Sequence, residues 1–130
     1  MNLLVKWFGR RRAVQPPAFD AKKTSDEYIQ QGDRLRDARE FSAAADAYRA
    51  ALALAPERPD IWVQFANMLK DAGNFQESEA GYRTALSLGP LDPDTHVQLG
   101  HLFKLQGRRG DAAASYRRAA EIAPYMLVAR

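Results

Sequence analysis

The chain has 130 residues, 46% of them hydrophobic and 27% charged, enough for one domain with a modest core. It contains no cysteine, which excludes disulfides, a thiolate metal site and a cysteine nucleophile and fits a reducing, cytoplasmic compartment. The formal net charge of +3 is uneven, with +5 on residues 1–24 and −2 on the remainder, which argues against a general nucleic-acid surface on the body.

The basic tail, residues 1–24, comes first. Its apolar run Leu3-Leu4-Val5 is broken by Lys6, too early for a secretory signal, and no small-residue cleavage site follows. No stretch approaches the roughly 20 apolar residues that span a bilayer. Leu3, Leu4, Val5, Trp7 and Phe8 beside Arg10-Arg11-Arg12 fit a peripheral membrane contact through residues 3–12. The competing readings are an unstructured tail or an extra helix on the body. Residues 8–24 hold glycine, arginines and two prolines and are expected to be largely unstructured or extended.

From Ser25 onward the chain is periodic. Pro56, Pro90 and Pro124 are spaced by 34 residues, and so are Tyr48, Tyr82 and Tyr116, Ala51, Ala85 and Ala119, and Gln30, Gln64 and Gln98. Such a period marks an array of helix pairs. The units are 25–58, 59–92 and 93–126, each with a helix A over positions 2–14 and a helix B over positions 18–30. Residues 127–130 are a short remnant.

The boundary signals are specific. Thr24 with Glu27 forms a capping box ahead of the first helix. Pro59 and Pro93 suit a first helical position, and Asp26, Asp60 and Asp94 lie in first turns, facing the positive end of the helix dipole. Gly73 and Gly107 close helix A in units two and three. Arg39 stands there in unit one, which predicts a less tightly specified turn. Pro56, Pro90 and Pro124 are expected to stop helix B.

At about 100° per residue, positions 4, 7, 8 and 11 of helix A share one side. They hold Tyr28, Gln31, Gly32 and Leu35; then Trp62, Phe65, Ala66 and Leu69; then His96, Leu99, Gly100 and Phe103. In helix B, a small residue, a tyrosine and an alanine recur at positions 20, 24 and 27, a small-large-small surface for packing on helix A.

Trp62, Phe65-Ala66, Leu99-Gly100, the recurring tyrosines and the terminal prolines resemble the tetratricopeptide repeat. The resemblance covers about 102 of the 130 residues. It implies an all-α, right-handed solenoid of three helix-turn-helix repeats, with helix A lining a concave surface. Gln31 departs from the family's apolar residue at position 7, and Arg109 from its aromatic at position 17. Co-chaperone members of the family grip a C-terminal carboxylate with Lys and Asn on the first helix A and Lys and Arg on the third. Those places hold Ile29, Asp33, Asp94 and Gln98, so no such clamp is expected.

No phosphate-binding Gly-x-x-x-x-Gly-Lys and no Gly-x-Ser-x-Gly is present, and no catalytic residue, cofactor or metal site is expected. His96 and His101 are five apart and point to different sides of a helix. His96 takes a packing position; His101 lies on the concave side. What remains is a surface. Ile29, Val63 and Val97 form an aliphatic spine, Gln30, Gln64 and Gln98 an amide row, and Arg36, Lys70 and Lys104 a basic row. Asp33, Asn67 and His101 vary between them. An amide can donate to and accept from a peptide backbone, so the row suits sequence-tolerant binding of a peptide or protein segment, and the basic row favours acidic partners. This makes a protein-binding scaffold or adaptor. The alternative is the recruiting arm of a larger bacterial enzyme, because residues 98–108 resemble repeats ahead of bacterial glycosyltransferase domains. The apolar end Tyr125-Met126-Leu127-Val128 leaves the last repeat uncapped and predicts a homo-oligomer.

Overall fold

The computed structural model of the chain describes residues 19–129, with side chains as far as Ala123 in the last helix. Six α-helices follow one another: α1 Ser25–Asp37, α2 Phe41–Leu54, α3 Pro59–Asp71, α4 Phe75–Leu88, α5 Pro93–Leu105 and α6 Arg109–Ala129. They pack as α1 on α2, α3 on α4 and α5 on α6, and these pairs stack through α2 on α3 and α4 on α5. The chain is therefore an all-α solenoid of helix pairs. The expected tail contact through residues 3–12 lies outside the described residues, as do the side chains on which self-association through the last repeat rests. Among the described residues no helix is long and apolar enough to cross a membrane.

The helix starts follow the local chemistry. Thr24 Oγ1 accepts from the Glu27 amide at 3.2 Å and Glu27 Oε1 accepts from the Thr24 amide at 3.0 Å, closing the capping box. Pro59 and Pro93 open α3 and α5; each restricts the residue before it, and Arg58 and Asp92 are extended. Asp92 also accepts from the Asp94 amide at 3.0 Å and the Thr95 hydroxyl at 2.7 Å.

The A–B turns are alike in all three repeats, against the expectation of a looser first one. Gly73 and Gly107 have φ of +88° and +73°, and Arg39 adopts the same left-handed conformation at +61°. The two closing bonds are also the same, Arg39 N to Arg36 O and Glu40 N to Leu35 O in the first repeat, both 2.9 Å. Two backbone bonds hold Arg39 where a glycine would sit without strain.

A second expectation fails at Pro124, which does not stop its helix: α6 continues to Ala129. Pro56 and Pro90 are each followed three residues later by another proline that starts the next helix. After Pro124 that position is Leu127, and nothing restarts the chain in a new direction.

Two apolar clusters straddle the repeat junctions. The first joins Tyr48 and Leu52 of α2 to Ile61, Phe65, Met68 and Leu69 of α3. The second joins Ala66 and Tyr82 to Leu99, Leu102, Phe103 and Ala112. Position 8 carries the closest approach: a Cβ built on Gly32 would lie 2.6 Å from the Tyr48 ring, and one on Gly100 2.7 Å from the Tyr116 ring. Ser78, where the other repeats have alanine, is fully buried and donates to the Ala66 carbonyl at 2.8 Å.

Position 4 differs from the expected packing role. Tyr28 is fully buried, but Trp62 and His96 are only half-buried. Trp62 Nε1 donates to the Pro56 carbonyl at 2.8 Å, and His96 Nε2 lies 3.2 Å from the Pro90 carbonyl. A carbonyl only accepts, so the His96 proton sits on Nε2. Both rings pin the inter-repeat loop as well as packing. Among the described residues no helix precedes the first repeat. Phe19 stacks on Tyr28 at 5.8 Å instead, and Lys23 donates to Gln31 at 3.1 Å. That accounts for the polar Gln31 on what is an apolar position elsewhere.

Candidate functional site

The candidate residues lie along α1, α3 and α5, the helix A of each repeat. The aliphatic spine is less exposed than a free surface row: Ile29, Val63 and Val97 are all half-buried. Ile29 packs on the first cluster and Val63 on the second. They form a low apolar floor between polar rows.

The amide and basic rows are joined across the repeats. Arg36 Nη1 donates to Gln64 Oε1 at 3.3 Å, and Lys70 Nζ donates to Gln98 Oε1 at 2.7 Å. Each cation at position 12 thus reaches position 6 of the next repeat, 28 residues on. A guanidinium or ammonium carries donors only, so the amide atom facing it is the oxygen. The –NH2 groups of Gln64 and Gln98 then point away from the cation. Gln30 has no preceding cation among the described residues and is exposed. Lys104 ends the ladder and is exposed. Burial pushes the Lys70 ammonium below its ordinary pKa, partly offset by Asp71. Arg36 also meets Asp33 at 3.4 Å and Asp37 at 3.1 Å. Two of the three cations are therefore bonded within the groove.

Position 9 pairs with the helix-B tyrosine of its own repeat. Tyr48 OH donates to Asp33 Oδ1 at 2.6 Å, Tyr82 OH donates to Asn67 Oδ1, and His101 meets Tyr116 edge-on at 5.7 Å. Burial and then the Asp33 bond raise the Tyr48 phenol above its ordinary range, and burial does so for Tyr82. Both phenols stay protonated and keep donating.

Five of the predicted residues, Arg36, Gln64, Asn67, Lys70 and Gln98, line one cleft of about 550 Å³. Arg39, Phe41, Met68 and Asp71 complete it. Arg39 lies in the first A–B turn, Phe41 opens α2, and Met68 and Asp71 lie on α3, off the three groove rows. A second cleft of about 430 Å³ lies on the other side of the first junction, lined mainly by Leu52, Ala53, Trp62, Phe65, Ala80 and Gly81. Arg49 stands at its rim, bonded to Glu77 and 5.0 Å from the Phe65 ring centre. Nothing in the 34-residue pattern marks this apolar cleft, because it depends on small residues at Ala53, Ala80 and Gly81.

The tetratricopeptide repeat family model matches residues 29–64 and 63–126. Among solved structures, a crystal structure of MamA aligns with a TM-score of 0.76 and 20% identity, over 80% of this chain and 61% of that one. MamA of MSR-1 aligns at 0.75 and 14% identity, over 95% and 66%. The TPR domain of Arabidopsis OM64 aligns at 0.72 and 19% identity, over 77% and 83%. At these identities the likeness shows the fold alone. The chain spans about three-fifths of the length of the first MamA structure. No curated protein matches the sequence.

Proposed function

The chain belongs to the tetratricopeptide repeat family, and from that premise we propose that it is a non-catalytic module that docks an extended peptide or protein segment in the groove lined by α1, α3 and α5. The observation that carries this reading is the cation-to-amide ladder. With Gln64 and Gln98 oxygens occupied by Arg36 and Lys70, their amide hydrogens are held ready for the carbonyls of a main chain. Pre-set donors reduce the ordering cost of binding. The half-buried Ile29, Val63 and Val97 offer apolar contact beneath. Because main-chain carbonyls occur in every sequence, the groove tolerates varied partners, and side-chain preference falls to the position-9 and position-12 residues. The absence of cysteine is in keeping with action in the cytoplasm.

The test uses peptides selected on the purified repeats from a random display library. Changing Gln30, Gln64 and Gln98 together to Ala is expected to weaken the selected peptides by about tenfold to a thousandfold, at roughly 0.5–1.5 kcal/mol per lost bond. The melting temperature should change little, since alanine is the best helix former and compensates the two lost ladder bonds. Unchanged affinity in the triple variant would exclude the amide row from binding.

A further inference from the structure

The three repeats present the same groove positions with different charges. On α1, Arg36 is flanked by Asp33 and Asp37, both within 3.4 Å. On α3, Lys70 is followed by Asp71. On α5 the equivalent positions are His101, Lys104 and Leu105, with no carboxylate among them. The acid on α5 is Asp94, in its first turn. Ten residues separate it from Lys104, about 15 Å along the axis. Lys70 reaches over from α3 to bond Gln98 at 2.7 Å, which brings a second ammonium to this end. The Gln98 amide hydrogens face away from that ammonium, because its oxygen faces it. Arg39, 5.4 Å from the Phe41 ring centre, and Asp71 line the cleft that Lys70 and Gln98 share, and neither His101 nor Lys104 lines that cleft.

We propose that the α5 end of the groove is a carboxylate subsite, formed by Lys70, His101 and Lys104 with the Gln98 amide donating, that holds an acidic residue of the docked segment. The proposal rests on the groove reading above and gives it a polarity. The α1 end, where Arg36 is neutralised by two aspartates, has no equivalent. A segment lying along the groove therefore places its acidic residue at the third repeat and leaves neutral or basic residues for the first.

His101 gives the subsite a pH dependence. The groups that face its ring are Lys70 from α3, Lys104 from α5 itself and Tyr116 from α6. Burial and then the two ammonium charges hold its imidazole below the ordinary value. A bound carboxylate supplies the opposite charge and raises that value, so protonation and carboxylate binding favour each other. Affinity for a carboxylate ligand rises as the pH falls through and below the ordinary imidazole value of about 6.5 to about 5.5, where glutamate side chains stay ionised.

The experiment is a nitrogen-15 titration of the repeats, at low salt, with two probes. One is acetylated, C-terminally amidated hexaglutamate, which offers side-chain carboxylates. The other is acetylated hexaserine with a free C-terminus, which offers only a terminal one. Hexaglutamate is expected to shift Gln98, His101 and Lys104 and to leave Gln30 and Arg36 in place. Lys104→Gln should weaken it by about threefold to fivefold, the range of an exposed ion pair, while Arg117→Gln, at an exposed cation of α6 outside the groove, changes it less than about twofold. The pH effect, about twofold to fivefold, should vanish in His101→Ala. Binding of hexaserine at the same residues would assign the subsite to a chain terminus rather than to an acidic side chain and overturn the proposal in that form. Equal losses in Lys104→Gln and Arg117→Gln, shifts centred on α1, or no binding of hexaglutamate would overturn it outright. A library-selected neutral peptide that still depends on the three glutamines would leave the groove reading standing in that case.

Discussion

Tyr82→Ala is expected to lower the stability of the array by about 3–5 kcal/mol, the cost of deleting a large aromatic from a packed core. Tyr82 has no exposed surface and belongs to the cluster that joins the second repeat to the third. The substitution also strips Asn67 of the phenol that donates to it. Against a total stability of roughly 5–15 kcal/mol, that is a large fraction. Because repeats hold each other through neighbouring interfaces, loss in the middle one should uncouple both junctions, and the melt should broaden as well as shift. Tyr82→Phe keeps the ring and loses the bond, so it should cost about 1 kcal/mol. Urea or thermal unfolding of the two variants measures this; a wild-type melt for Tyr82→Ala would place the side chain outside the core.

Gly32→Ala is expected to cost about 1–3 kcal/mol through overpacking, because its new methyl would meet the Tyr48 ring at 2.6 Å. That ring is fully buried and its hydroxyl is tied to Asp33 at 2.6 Å, so it cannot swing aside cheaply. The middle repeat shows how the fold accommodates a methyl at this position. There Ala66 stands at position 8 and Gly81 at position 23, and a Cβ on Gly81 would lie 3.1 Å from the Ala66 methyl. In the first repeat the order is reversed, Gly32 with Ala47. Each pair holds one methyl. Adding Ala47→Gly to Gly32→Ala should therefore recover part of the loss, less the roughly 0.5–1 kcal/mol that a glycine costs inside a helix. A double variant less stable than the sum of the two single changes, measured by chemical unfolding, would show that the two positions do not share space.

Much of this fold was legible in the sequence because its signals are local. Thr24 with Glu27, Pro59, Pro93, Gly73 and Gly107 act within one turn of where they stand, and helix ends fall where they indicate. What was not legible depends on neighbours in space. Ile61, Met68, Thr95 and Leu102 are buried although they lie off the stripe assigned to the core. Each inner helix A packs against the preceding helix B as well as its own, so its buried face is wider than one stripe. The first repeat has Glu27 and Arg34 at those positions and exposes both, with no helix before it among the described residues. The reach of α6 past Pro124 hung on a missing second proline, which the matching prolines of the other repeats concealed.

The candidate site was legible as a set of rows but not as a network. Gln64 and Lys70 read as members of two separate rows on one helix, six residues or about one and two-thirds turns apart. In space each bonds to a different repeat, Gln64 back to Arg36 and Lys70 forward to Gln98. Asp33 and Asn67 read as free groove residues, and both are held by buried phenols. The bonds that shape the groove run between side chains about 28 or 15 residues apart, beyond what periodicity along one helix can show.

The most direct test of the account is a residue-level map of where a bound peptide sits. A peptide selected from a random library on the purified repeats should shift the amide and side-chain resonances of Gln64, Asn67, Lys70, Val97 and Gln98, and slow hydrogen exchange along α1, α3 and α5. The outer face should stay unchanged. Shifts confined to Arg49, Trp62, Glu77, Gly81 and Thr84, around the apolar cleft on the other side of the first junction, would contradict the groove and move the interaction surface there.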